Sequence, residues 1–130
     1  MTSTSDVGLT LAEQVHRALD ARDLDAFGSL LSDDVRWGSD DHPRACRNRS
    51  DVLATFSRIL AEGAEGEVTE IATGPRGILC GLTVSWPSPE VHPDDRRLYH
   101  VYLTEDGRIV EIQRYDDRRS AAAAVGLGTQ

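Results

Sequence analysis

His100 and Tyr102, two positions apart in the stretch Leu98-Tyr99-His100-Val101-Tyr102-Leu103, are the residues whose types and spacing most readily do chemistry. On a strand the two-residue period puts both side chains on one face. An unperturbed imidazole titrates near neutrality, so His100 can serve as acid or base without a large pKa shift. Tyr102 can give a phenolic hydrogen bond to a substrate carbonyl. The plainer alternatives stay open: a hydrogen-bonded strand histidine, and a packed aromatic with its hydroxyl at the rim. Arg114 cannot act as an acid or base near pH 7, but it can bind a carboxylate, steady an enolate, or simply pair with Asp116. Asp40-Asp41 and Asp116-Asp117 are aspartate pairs that either supply a carboxylate to a pocket mouth or are solvated. Asp40 is the best of these, because it follows a strand that ends in Trp37.

Other chemistries are excluded or unsupported. All 14 basic residues are arginine. Without lysine there is no side-chain amine for a Schiff base, a pyridoxal anchor or a phosphate loop. Asp40, Asp41, His42, His92 and His100 show no recognised ligand spacing, so no metal is expected. Cys46 and Cys80 form no Cys-x-x-Cys pair and are expected to be reduced and buried. A formal net charge of −8, with arginines scattered among acids, disfavours nucleic acid and anionic membrane surfaces. No apolar run approaches the roughly 20 residues that span a bilayer. The start, MTSTSDVG, has neither the basic flank nor the apolar stretch of a secretion signal, so a cytoplasmic protein is expected. With 130 residues, one domain with one main pocket is expected.

The elements that must position these residues are marked along the chain. Thr10 and Glu13 make a capping box, and Leu11, Val15, Ala18 and Leu19 recur at helical spacing, predicting a helix to about Arg22. Asp23 caps a second helix that buries Leu24, Phe27, Leu30 and Leu31. Val35-Arg36-Trp37 reads as a short strand, followed by a polar loop over 38–47. Asn48 or Ser50 caps a third helix carrying Val52, Phe56, Ile59 and Leu60, which Gly63 ends. The period then changes to two, predicting strands over 67–73, 77–86, 97–104 and 108–115. Asp106-Gly107 is the strongest hairpin signal. The segment 87–96, with three prolines, reads as a long surface loop able to act as a lid. Residues 120–124 add at most one helical turn before a loose tail. Trp86 continues the parity of Ile78, Cys80, Leu82 and Val84, and both Trp37 and Trp86 suit pocket walls or plain core packing.

This order, with Asp33-Asp34-Val35-Arg36-Trp37 after the second helix and Asp106-Gly107-Arg108-Ile109-Val110-Glu111-Ile112 at the last hairpin, resembles the SnoaL-like branch of the nuclear-transport-factor-2-like superfamily. Ketosteroid isomerases, polyketide cyclases and limonene-epoxide hydrolases share that fold. The resemblance covers about residues 9 to 119. It implies an α+β fold: a cone-like, curved, mixed but mostly antiparallel sheet wrapped by three N-terminal helices around a central pocket. Residues 1–8 and 120–130 would be flexible termini. It also implies dimerisation through the convex sheet face, a small apolar ligand and no cofactor. Together with the residue reading, the expected catalytic set is His100, Tyr102, Arg114 and Asp40, with Val15, Leu19, Trp37, Phe56, Leu60, Trp86 and Ile112 expected to bind substrate. Arg114 is the main departure, because it stands where SnoaL-like cyclases carry a catalytic aspartate. The implied function is a cofactor-independent isomerase, cyclase, dehydratase or related lyase acting by proton transfer on a carbonyl or polyketide-like compound. The alternatives are a non-catalytic small-molecule-binding or accessory protein of the same fold, or an assembly domain.

Overall fold

In the computed structural model the structure describes residues 10–38, 46–85 and 96–127. The elements run α1 (Leu11–Ala21), α2 (Leu24–Gly28), β1 (Leu31–Trp37), α3 (Arg49–Ala61), β2 (Glu65–Gly74), β3 (Gly77–Ser85), β4 (Arg96–Glu105), β5 (Arg108–Tyr115) and α4 (Arg118–Ala124). The sheet order is β1-β5-β4-β3-β2. β1 lies parallel to β5, and the other neighbours are antiparallel. This is the expected α+β architecture.

The helix starts follow the capping chemistry. Glu13 N–H donates to Thr10 Oγ1 at 3.1 Å, and Thr10 N–H donates to the Glu13 carboxylate at 2.9 Å. Asp23 caps α2 through Ala26 N–H at 3.0 Å, and Asn48 rather than Ser50 caps α3 through Asp51 N–H at 2.9 Å. α1 closes on Arg22 in the left-handed conformation, with Arg22 N–H on Leu19 C=O and Asp23 N–H on Ala18 C=O. That is the Schellman pattern, which usually places glycine at this position. The hairpin at Asp106-Gly107 has positive φ at both residues, 54° and 79°, as a type I′ turn requires.

α2 ends at Gly28, and Leu31 begins β1 instead of extending the helix. The long-range pairing of Leu31 with Ile109, and Ile109 N–H on Leu30 C=O at 2.9 Å, draw this stretch into the sheet. β2 likewise begins two residues earlier than its alternation predicts.

The main core lies between α1–α3 and the inner sheet face, where Val15, Phe27, Val52, Ile78, Cys80, Tyr102 and Ile112 are buried together. Register sets this face: Ile78 is opposite Tyr102 and Cys80 opposite His100, while Leu79 and Val101 point the other way. The expected flexible stretch after residue 119 is corrected through Leu127. Asp117 caps α4 through Ser120, and Ala121, Ala122 and Val125 are buried on Leu79 and Val101 of the outer face. Val125 C=O also accepts from Arg76 N–H at 3.0 Å. The second occupied face is thus covered, at β3 to β5, by the chain's own last helix. Residues 1–8, 128–130 and most of the 87–96 lid candidate lie outside the described residues.

Candidate functional site

A cavity of about 400 Å³ opens between α1, α2, α3 and the inner sheet face. Its wall is mostly apolar: Leu19, Phe27, Trp37, Phe56 and Leu60 meet Val68, Leu82, Val84 and Leu98. The size and character match small-molecule sites. The cavity also explains α3. Val52 on that helix is fully buried, whereas Phe56, Ile59 and Leu60 stay half-buried because they face the opening.

The polar groups on the wall are Arg22, Asp23, His100, Tyr102 and Arg114. His100 and Tyr102 come from adjacent inward positions of β4, and His100 Nδ1 lies 3.2 Å from Tyr102 Oη. Tyr102 has 0% of its surface exposed and His100 has 7%, so the imidazole is the member of the pair that a ligand reaches first. Tyr102 borders the cavity from behind it.

Aromatic rings enclose the histidine. Trp37 and Tyr102 meet it edge-on at centroid distances of 5.6 and 5.8 Å, and Phe56 stacks on Trp37 at 4.9 Å. Loss of hydration drives the His100 pKa down to about 4, and the Arg114 cation adds to the effect. The expectation of a histidine titrating near neutrality is therefore corrected: at pH 7 the imidazole is neutral. Burial likewise raises the Tyr102 pKa well above the ordinary phenol value, with Cys80 adding to it, so the phenol stays protonated.

These states select a tautomer. Among the described residues, His100 Nδ1 is the partner seen for the Tyr102 hydroxyl. A buried hydroxyl hydrogen left unpaired costs about 1–3 kcal/mol. Donation from the hydroxyl to Nδ1 avoids that cost and leaves the imidazole proton on Nε2. His100 is then a neutral N–H donor.

Arg114 sits directly across the strand pair from His100 and lines the cavity, with 43% of its side chain exposed. Its Nη2 also donates to Asp116 at 3.2 Å, so the ion-pair alternative and the cavity position hold together. Asp116 is 83% exposed and is held on the surface. Asp117 is occupied as the α4 cap, and hydrogen bonds from Ser120 hold its carboxyl below the usual range.

Of the expected substrate-binding residues, Leu19, Trp37, Phe56 and Leu60 line the cavity. Val15 and Ile112 do not; both are fully buried in the packed core. Asp40 and Trp86 lie outside the described residues. Arg22 and Asp23 were missed, because they read only as a helix end and a cap. The signal available was that the α1–α2 corner carries two charges beside the apolar Leu19 and Leu24. Cys46 and Cys80 are free and buried, and burial pushes the Cys80 thiol up to about 12, with Asp20 contributing. Among the described residues no group of three or more His, Cys, Asp or Glu is placed to hold a metal, and no helix is long and apolar enough to cross a membrane.

The model of the SnoaL-like domain family matches residues 12–112. The chain belongs to the SnoaL-like domain family. Solved structures share its fold at low identity. A proposed polyketide cyclase of Sinorhizobium meliloti is 17% identical, with 87% of this chain and 99% of that one covered at a TM-score of 0.65. An LEH-like epoxide hydrolase of M. tuberculosis is 19% identical, with coverages of 88% and 86% and a TM-score of 0.58. A Catenulispora acidiphila protein with a ketosteroid isomerase-like fold, in complex with trimethylamine, is 16% identical, with coverages of 92% and 96% and a TM-score of 0.60. No curated protein matches the chain. As a SnoaL-like domain, this chain presents an apolar cavity with a neutral histidine–tyrosine pair on its wall and arginine at position 114.

Proposed function

We propose that this SnoaL-like protein is a cofactor-independent enzyme that moves a proton on a small, largely apolar carbonyl compound, as an isomerase, cyclase or related lyase. The observation that carries the reading is the hydrogen-bonded His100–Tyr102 pair set in an otherwise apolar wall. Names among the structural relatives, a polyketide cyclase and an LEH-like epoxide hydrolase, support a small-molecule enzyme.

The chemistry follows from the charge states. A neutral imidazole with its pKa near 4 is a weak base at pH 7, so His100 serves better as the Nε2–H donor to the carbonyl oxygen. Tyr102 fixes the tautomer through Nδ1 and is a positioning residue. The proton must go to another group. Among the described wall residues the carboxylate is Asp23, whose Oδ1 caps α2 and whose Oδ2 remains for this role. Asp23 takes a proton from the carbon next to the carbonyl, and the electron pair moves into an enolate whose oxygen accepts from His100. Return of the proton to the same or another carbon completes an exchange or an isomerisation. Asp40, the candidate that the sequence favours, would enter the same role from outside the described residues.

The test is deuterium uptake into benzylacetone and related apolar ketones, followed by NMR in deuterium oxide. Wild type should accelerate uptake. His100→Ala should slow it by about a hundredfold or more while the ketone still binds. Asp23→Asn keeps a good helix cap, so its loss of uptake would be chemical and not structural. A second reading, a non-catalytic binding protein, is favoured by Arg114 at the position where SnoaL-like cyclases carry an aspartate. Ketones that bind without accelerated uptake would establish that reading in place of the first.

A further inference from the structure

Two guanidinium groups stand on the wall of a cavity that is otherwise mostly apolar. We propose that the ligand is an amphipathic anion: an apolar body that lies in the cavity and ends in a carboxylate held by Arg22 and Arg114 on its wall. This inference rests on the reading of the cavity as the ligand site and adds the class of molecule it takes.

Arg22 is the first ground. Its backbone is left-handed, at φ 55°, in the position that closes α1. Glycine adopts that conformation without strain and is the usual residue there. Arginine at this point brings a permanent cation to the cavity wall, and no ion pair involving Arg22 is seen among the described residues.

Arg114 is the second. It reaches the wall from β5, in register with His100 on β4. Its contact with Asp116 uses one nitrogen at 3.2 Å, against a carboxylate that is mostly in water. An exposed pair of this kind contributes little. The guanidinium has five N–H donors in a fork that matches a carboxylate, so most of its capacity is open to a ligand. Its field reaches the site, since it is one cause of the lowered His100 pKa.

Charge balance is the third. The wall carries two arginines and one aspartate, Asp23, and Arg114 also meets the exposed Asp116, so Arg22 is the wall cation for which no carboxylate partner is seen among the described residues. Asp23 Oδ1 is engaged by Ala26 N–H as the α2 cap. Arginine keeps its proton, so pairing with a ligand anion is what balances its charge.

The experiment is a comparison of phenylbutyrate with its uncharged near-isostere phenylbutyramide, titrated into the full chain and followed by tryptophan fluorescence and by ligand-observed NMR. The carboxylate should bind about tenfold or more tightly than the amide. Arg22→Gly suits the left-handed backbone and so keeps the fold; it and Arg114→Gln should each cut the preference to about threefold or less. Equal affinity for the two compounds would overturn this inference while leaving the cavity reading in place. A preference unchanged in both variants would overturn the role of the arginines. Binding of neither compound to wild type would overturn the inference and the cavity reading together.

Discussion

Acid should destabilise the wild-type protein more than a His100→Gln variant, by an amount that the burial of His100 sets. The imidazole pKa falls from 6.5 to about 4 in the folded chain, because burial strips its hydration and Arg114 repels its cation. Between those values the unfolded chain binds a proton that the folded chain refuses. A depressed histidine pKa therefore favours the fold above about pH 6.5 and works against it as pH falls. Each pH unit in that window costs the folded state about 1.4 kcal/mol. The loss reaches about 3 kcal/mol near pH 4. Glutamine has no such equilibrium, and its packing cost does not change with pH. Urea unfolding, followed through the fluorescence of the two tryptophans, gives the stability of both proteins from pH 7 to pH 4. His100→Gln removes one titrating group, so the difference between the two proteins isolates it. The wild-type advantage over His100→Gln should shrink by about 3 kcal/mol across this range. A constant difference would refute the neutral, dehydrated histidine and with it the donor role.

Two further predictions concern the support around the site. Tyr102→Phe keeps the ring that packs edge-on against Phe27 but removes the hydroxyl from His100 Nδ1; it should cost about 1–3 kcal/mol in urea unfolding. Nitrogen NMR of His100 should show the Nε2–H tautomer in wild type and a mixture in the variant, and an Nδ1–H wild type would contradict the assigned donor. Val125→Ala removes two methyl groups from the fully buried residue that ends α4 and should lower stability by about 2 kcal/mol. A cost below about 0.5 kcal/mol would show that α4 does not hold the outer face.

What could be read in the chain divides along local and long-range interactions. The alternation in β3 and β4 places His100, Tyr102, Ile78, Cys80 and Leu82 on one face, and the register agrees. The caps at Thr10, Asp23 and Asn48 and the Asp106-Gly107 turn are local chemistry, and all are present. The sequence predicts β1 only at Val35-Arg36-Trp37, while the strand character of the residues before it comes from pairing with β5, 78 residues away at Leu31 and Ile109. The full length of α4 is hidden for the same reason. A run of alanines carries no clear stripe, and what orders it is contact with Leu79 and Val101. Within the site, periodicity assigns Val15 and Leu19 to the same side of α1, yet Leu19 reaches the cavity and Val15 ends in the packed core. The same limit put Ile112 on the wall instead of beneath it. The histidine pKa is a property of the aromatic enclosure by Trp37, Phe56 and Tyr102, which three separate elements assemble.

A small apolar molecule should bind beside His100. Intermolecular NMR contacts between benzylacetone and the full chain, with the histidine and aromatic side chains assigned, test it most directly. Contacts are expected from the ligand to the His100 ring, Trp37 and Phe56. Contacts confined to Tyr99, Tyr115 and α4 on the outer face would contradict it.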